Sequence, residues 1–325
     1  METAATAIAE RGRRRPEAWA ARTRSPWAVV LAGGEGMRLR SLTRRLYGEP
    51  RPKQFCPLLS RRSLLRQTLE RIESSIPAER TLVIGLESHA GFLTRDLGER
   101  PRWTLLKQPL SRGTAAAVLL AAQWIEAHDP GAIAVYFPCD HFIARDDEFM
   151  AQVAEMAGVV ERRPEWIVLL GAQPDEAEVE YGWIRPGAAV GGDLHWPLHR
   201  VAGFVEKPTR DVAQTMWRSG CLWNTFVFAA RAAAVLDAGR ECVPSLARGL
   251  AGLGAFWGGE HERWAMRHAY ALAPTASFSR CVLESCTGPV AVSTLPAGIW
   301  RDVGSPERAI RAMAAVTGGC CAWPS

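Results

Sequence analysis

Short apolar runs of β-forming residues alternate along this chain with longer alanine- and leucine-rich segments, and that alternation limits the fold more than any other feature. Strands joined by crossover helices in a mostly parallel sheet satisfy it; a helical bundle or an all-β sandwich does not. Strands are expected at 27–32, 81–86, 132–137 and 166–171, with helices at 63–76, 113–128 and 146–162. After residue 171 the texture changes, and glycine- and proline-rich connections separate shorter runs. Strands are expected there at 201–206, 223–229 and 289–294, and helices at 247–253, 260–271 and 307–316. The expected class is α/β: a Rossmann-like, doubly wound, mostly parallel but mixed sheet, with a small substrate-facing β layer from the second half. At 325 residues and 48% hydrophobic content the chain can bury one such core. One domain is expected over 26–318, between an arginine-rich arm at 1–25 and a tail at 319–325.

The formal net charge of +5 suggests a polyanion partner until its origin is traced. Arg11, Arg13, Arg14, Arg15, Arg22 and Arg24 all precede the first strong apolar run, so the charge belongs to an arm read as flexible. No nucleic-acid partner is expected. Glu10, Arg11 and Arg13 interrupt any signal-peptide core, and no run reaches the roughly 18–20 apolar residues of a membrane span. A soluble, cytoplasmic protein is expected, with a homo-oligomer left open. The eight cysteines (56, 139, 221, 242, 281, 286, 320 and 321) lack paired C-x-x-C spacing. Reduced, mostly buried thiols are the expectation.

The first apolar run, Val29-Val30-Leu31-Ala32, enters Gly33-Gly34-Glu35-Gly36-Met37-Arg38-Leu39. Glycines allow close approach of backbone N–H groups to anionic oxygens, and Arg38 adds a planar cation, so the loop is suited to phosphate. It lacks the Gly-Lys-Ser/Thr ending of a Walker loop, and Leu39 stands where a dinucleotide fingerprint needs its third glycine. Arg51-Pro52-Lys53-Gln54-Phe55 follows within twenty residues and supplies a second cation after a stiffening proline.

Leu31-Ala32-Gly33-Gly34-x-Gly36-x-Arg38-Leu39 with Pro52-Lys53-Gln54-Phe55 resembles the signature of the sugar-1-phosphate nucleotidyltransferases. The Lys-Gln-Phe variant is similar to that of the mannose-1-phosphate guanylyltransferases. The resemblance runs in order over residues 27 to 316, and no C-terminal sugar-isomerase or β-helical extension is expected. It implies that Leu31, Ala32, Gly33, Gly34 and Gly36 bind the nucleotide, while Arg38 and Lys53 grip the triphosphate and stabilise departing pyrophosphate.

Transfer to a phosphate oxygen needs charge neutralisation and in-line positioning more than proton chemistry. The strand at 132–137 ends in Pro138-Cys139-Asp140-His141, which delivers Asp140 to the carboxyl edge of the sheet, where ligands of open α/β folds gather. Trp300-Arg301-Asp302-Val303-Gly304 offers a second carboxylate. Two hard oxygen ligands suit Mg²⁺ bridging phosphates, and the resemblance implies that Asp140 and Asp302 hold it, with His141 packing beside them. By the same resemblance Tyr181, Gly182, Glu206, Lys207 and Asn224 receive the sugar phosphate. Gln108, Gly113 and Thr114 would receive the base. Gln108 stands where the guanylyltransferase pattern has an acid, Gly113 where it has asparagine, Thr225-Phe226 where small residues are usual, and Ser279 where an acid is usual.

The partners implied are a nucleoside triphosphate and a sugar 1-phosphate, with GTP and mannose 1-phosphate giving GDP-mannose as the first reading. UTP or dTTP with glucose 1-phosphate is the alternative, because an amide pairs with guanine or with a pyrimidine. A non-catalytic sugar-nucleotide sensor is the reading from another class.

Overall fold

The apolar runs become strands because both of their faces can be covered. β1 (Trp27–Leu31), β2 (Thr81–Leu86), β4 (Ile133–Pro138), β6 (Ile167–Ala172) and β10 (Val290–Leu295) are buried along nearly their whole length. Such runs belong inside a sheet sandwiched by helices. The remaining strands are β3 (Thr104–Gln108), β5 (His141–Ile143), β7 (Gly182–Ala189), β8 (Leu198–Glu206), β9 (Leu222–Arg231) and β11 (Trp300–Asp302). The computed structural model describes residues 25–98, 103–285, 289–305 and 307–309. The arginine-rich arm, the tail and most of the helix expected at 307–316 lie outside them.

Nine strands form one mixed sheet in the order β3-β2-β1-β4-β9-β6-β10-β8-β7. β1 pairs in parallel with β2 and β4, β2 with β3, and β6 with β10. β9 runs antiparallel between β4 and β6. β7 and β8, where a separate small layer was expected, extend the main sheet as antiparallel strands. Pro186 in β7 sits at a shift of register, as a residue without an N–H must in a paired strand.

The helices are α1 (Arg40–Tyr47), α2 (Leu64–Glu73), α3 (Ala90–Leu97), α4 (Gly113–His128), α5 (Asp146–Arg162), α6 (Arg210–Arg218), α7 (Ala232–Cys242), α8 (Pro244–Ala251) and α9 (Glu262–Leu272). One buried cluster joins α4, α7, α8 and α9 to one sheet face, and a second joins α2, α5 and α6 to the other. The small residues of α4 let it pack tightly on several sides. The sequence reading missed α1 and α6, short helices with three charged residues each, and α7, which continues directly from a strand. It also missed α3, an eight-residue helix, and the short or glycine-containing strands β3 and β7.

Among the described residues no helix is long and apolar enough to cross a membrane. Cys56, Cys139, Cys221 and Cys281 are free thiols. Cys242 is disulfide-bonded, which corrects the expectation of thiols reduced throughout. Its spacing carried no such signal because proximity in the fold decides the pairing. Cys286, Cys320 and Cys321 lie outside the described residues.

Candidate active site

The parallel register of β1 and β4 sets Leu31 opposite Pro138, so the glycine loop and Asp140 leave the sheet side by side. β5 and β11 then pair as a separate two-stranded ribbon with Asp302 opposite His141. This ribbon brings together two carboxylates 162 positions apart in the chain. Lys53, in the single turn Lys53–Phe55, completes the group. Its Nζ lies 2.8 Å from Asp140 Oδ2 and 3.6 Å from Asp302 Oδ1, and donates to the Val303 carbonyl at 3.4 Å. Burial alone would lower the Lys53 pKa, but Asp140 and Asp302 outweigh it and hold it above its ordinary value. Burial likewise opposes ionisation of Asp140, yet Lys53 and His141 keep its carboxyl below the usual value. Burial pushes His141 down, so its imidazole, 3.8 Å from Asp140 Oδ1, is neutral at pH 7.

The glycine loop is held from beneath by Gln54, whose Nε2 donates to the carbonyls of Ala32 at 3.0 Å and Gly34 at 2.7 Å. Leu31, Gly33 and Gly34 line the cleft with Arg38. Ala32 and Gly36 are not among the residues that line it. Ala32 is fully buried, and Gly36 makes the turn at φ 62° against the backbone of Lys53. The Gln of Lys-Gln-Phe is thus a structural part of the loop, a role that motif spelling alone did not disclose.

On the opposite wall, Tyr181 and Gly182 at the start of β7 face Glu206 and Lys207 at the end of β8. The space beside Gly182 is taken by the Glu206 carboxylate and the Phe204 ring, each within 2.7 Å of where a Cβ would lie. Burial raises the Glu206 pKa, opposed by Lys207 and Arg280. Lys207 and Phe226 hold positive φ values of 52° and 59°, unusual for residues other than glycine, and such strain collects at functional sites. Asn224 Oδ1 stabilises the second by accepting from the Phe226 N–H at 3.0 Å. Lys207 is secured by its N–H donating to the Tyr181 carbonyl at 3.1 Å.

Three charged residues join the group without any sequence signal. Glu180 lies 2.9 Å from Arg38 Nη1 and 3.8 Å from Lys207 Nζ, linking the two walls. Arg308 spans Asp302 at 2.8 Å and Glu178 at 2.7 Å, with its guanidinium 4.7 Å from the Tyr181 ring centre. Glu178 and Glu180 belong to an acidic run at 175–180 and Arg308 follows Glu307, and nothing in those neighbours distinguishes them from solvated charges.

Gln108 at the end of β3 and Gly113-Thr114 at the start of α4 close the third side of the cleft. Thr114 Oγ1 accepts from the Phe278 N–H at 2.9 Å, so its hydroxyl binds the loop rather than standing free. Gly113 has φ 79°, and a Cβ there would lie 2.2 Å from the Ala276 carbonyl oxygen. Gly113→Ala is therefore expected to cost about 3 kcal/mol and lower the melting temperature by roughly 6–12 °C. A calorimetric scan matching the wild type would contradict this reading of the turn.

Together these walls enclose a cleft of about 380 Å³. Every sequence-predicted site residue except Ala32 and Gly36 lines it. Among the described residues, no cluster of three or more His, Cys, Asp or Glu side chains is arranged to hold a metal. Cations beside a glycine loop on one side, a carboxylate pair at the centre and a Glu-Lys pair on the other make a cleft suited to anionic ligands.

Comparison with known proteins gives this arrangement a context. A family model described as nucleotidyl transferase matches residues 27–318. The chain is 34% identical over 284 residues to the xanthan biosynthesis protein XanB of Xanthomonas campestris pv. campestris (strain B100), covering 85% of this chain and 57% of that protein. It is 33% identical over 225 residues to a mannose-1-phosphate guanylyltransferase of Escherichia coli (strain K12), covering 68% of this chain and 46% of the relative. The chain thus spans about half the length of these curated relatives. Among solved structures it resembles one titled mannose-1-phosphate geranyltransferase from Thermus thermophilus, with a TM-score of 0.70, 35% identity, and coverage of 86% of this chain and 76% of that one.

Proposed function

The chain belongs to the nucleotidyl transferase family, and from that premise we propose that it transfers a nucleoside monophosphate from a nucleoside triphosphate to a sugar 1-phosphate, releasing pyrophosphate. GTP and mannose 1-phosphate, giving GDP-mannose, are the substrates proposed first. The names of its relatives support that choice. The observation that carries the reaction is the convergence of Asp140 and Asp302 on Lys53, between a glycine loop and the Glu206-Lys207 pair.

In this reading the sugar phosphate lies against the β7–β8 end of the sheet, where Lys207 holds its phosphate and Glu206 and Asn224 accept from its hydroxyls. The triphosphate lies along Gly33 and Gly34, with Arg38 and Lys53 at its β and γ groups. An oxygen of the sugar phosphate attacks the α-phosphorus, the new P–O bond forms as the bond to pyrophosphate breaks, and the leaving charge develops beside Arg38 and Lys53. The attacking oxygen is already ionised, which suits a site whose histidine is neutral. The two carboxylates converge on Lys53 and offer hard oxygen donors, so they would suit a divalent cation. We propose that Asp140 and Asp302 would hold Mg²⁺, which when bound neutralises phosphate charge. Lys53 would then turn from the carboxylates toward the phosphates.

The direct test is pyrophosphate release from five nucleoside triphosphates crossed with several sugar 1-phosphates in Mg²⁺, with GTP and mannose 1-phosphate expected to give the highest kcat/KM. Absence of pyrophosphate from every pair would end the proposal. Within the active pair, Lys207→Ala is expected to raise KM for the sugar phosphate about tenfold and leave nucleotide affinity nearly unchanged. Arg38→Ala should mainly lower kcat, because charge on the leaving group is greatest in the transition state. Weaker nucleotide binding by Lys207→Ala, with unaltered sugar-phosphate saturation, would reassign Lys207 to the triphosphate.

A further inference from the structure

Strand β9 does not pair evenly with β6. Leu169 lies opposite Phe228 and Gly171 opposite Asn224, so Leu170 alone on β6 faces three residues of β9: Thr225, Phe226 and Val227. A bulge of this kind takes backbone groups out of the ladder and re-aims a side chain. Neighbouring side chains here replace the missing bonds. Asn224 Oδ1 accepts from the Phe226 N–H at 3.0 Å, while Thr225 Oγ1 accepts from the Val227 N–H at 3.1 Å and donates to the Leu170 carbonyl at 2.6 Å. The bulge is therefore held in one shape, with Phe226 at its centre.

The φ of 59° at Phe226 is one that glycine adopts freely and phenylalanine only under strain. The backbone gains nothing from the side chain, so what the residue contributes is its ring. Small residues are usual at this position in the guanylyltransferase pattern, and the ring is thus a feature of this chain. It is half-buried and lines the cleft, seated edge-on against the buried rings of Phe228 and Phe278 at 5.9 and 6.2 Å between centres. The residues after Phe278 tie it to the Glu206 wall: Ser279 hydrogen-bonds the Glu206 carboxylate, and Arg280 donates to the Glu206 carbonyl at 3.5 Å.

We propose that Phe226 is a specificity-determining residue for the sugar. Its ring is an apolar wall against which the carbon–hydrogen face of a hexose 1-phosphate packs, and it fills the space that an N-acetyl substituent on that sugar would need. Most of the cleft side chains around it are charged or polar, and the C–H face is the part of a sugar phosphate that an apolar surface suits. This inference rests on the proposed transferase reading, in which the Glu206 side of the cleft receives the sugar phosphate.

The experiment measures kcat and KM for mannose, glucose and N-acetylglucosamine 1-phosphates, with the nucleotide that wild-type protein uses best, in wild-type protein, Phe226→Gly, Phe226→Ala and Phe226→Leu. Wild-type protein is expected to prefer its better hexose 1-phosphate over N-acetylglucosamine 1-phosphate by at least about tenfold. Phe226→Gly should raise KM for the hexose about tenfold, reduce that preference about tenfold and leave KM for the nucleotide within about twofold. Phe226→Ala should behave alike but melt roughly 1–3 °C below Phe226→Gly, because alanine keeps the strained φ. Phe226→Leu keeps most of the bulk without the flat face; it should raise KM for the hexose about threefold, and it decides the contact if the smaller variants do not fold. A rise in KM for the nucleotide with the sugar KM unchanged would overturn the proposal by moving the ring to the nucleotide. So would unaltered KM values in every folded variant, an equal loss with all three sugars, or a wild-type preference for N-acetylglucosamine 1-phosphate, each leaving the transferase reading intact. No pyrophosphate from any substrate pair with wild-type protein would overturn the transferase reading and this proposal with it.

Discussion

Asp140→Asn and Asp302→Asn are each expected to lower kcat/KM about a thousandfold, on the order of 4 kcal/mol of transition-state stabilisation. Both substitutions keep the shape of the side chain and remove its charge. If the two carboxylates hold one cation, each variant loses half of the protein's ligand charge, and the effects should not add in the double variant. The fold should persist. In Asp140→Asn, Lys53 still faces Asp302, and in Asp302→Asn, Arg308 still faces Glu178. Melting temperatures within a few degrees of wild type are therefore expected alongside the loss of turnover. Raising Mg²⁺ should restore part of the activity by mass action. Wild-type turnover by either variant at limiting Mg²⁺ would remove that carboxylate from the proposed metal site.

Lys53→Ala is expected to lower both activity and stability, which separates it from the aspartate variants. Its ammonium is 2.8 Å from one carboxylate and 3.6 Å from another, and the three side chains are 13%, 25% and 12% exposed. Deleting the cation leaves Asp140 uncompensated beside Asp302, which keeps Arg308 as its partner, and this should cost roughly 2 kcal/mol in the metal-free protein, less than for a fully buried pair because water reaches Asp140. Turnover should fall by about a thousandfold as well, since the same cation is proposed to meet the leaving pyrophosphate. The distinguishing measurement is the melting temperature against Mg²⁺. A divalent cation can neutralise the uncompensated charge at Asp140, so the variant should be stabilised by Mg²⁺ more steeply than wild type. A variant whose melting temperature neither falls nor responds to Mg²⁺ would show that the three charges do not act as a unit.

What the sequence determined was local. Continuous apolar runs specified β1, β2, β4 and β6, and alanine-rich stretches specified α4, because burial on both faces is written in neighbouring residues. The glycine loop and Lys-Gln-Phe were legible for the same reason, each being a short segment with its own backbone and charge requirements. Asp140 could be placed because it ends a recognisable strand. The tertiary structure decided everything that joins distant segments. Asp302 reaches Asp140 only through the β5–β11 ribbon, whose three-residue strands carry no periodicity of their own. Glu178, Glu180 and Arg308 join the site through charge pairs between distant segments, and a charge in the sequence does not announce its partner. Ala32 and Gly36 share the spelling of the loop but brace it, Ala32 through its carbonyl bonded to Gln54 and Gly36 through its close approach to the Lys53 backbone. The second-half strands joined the main sheet instead of forming a separate layer, since hydrogen-bond pairing across β7, β8 and β10 depends on where the whole chain has already folded. Local composition sets which segments can be strands or loops; only their packing sets which charges meet.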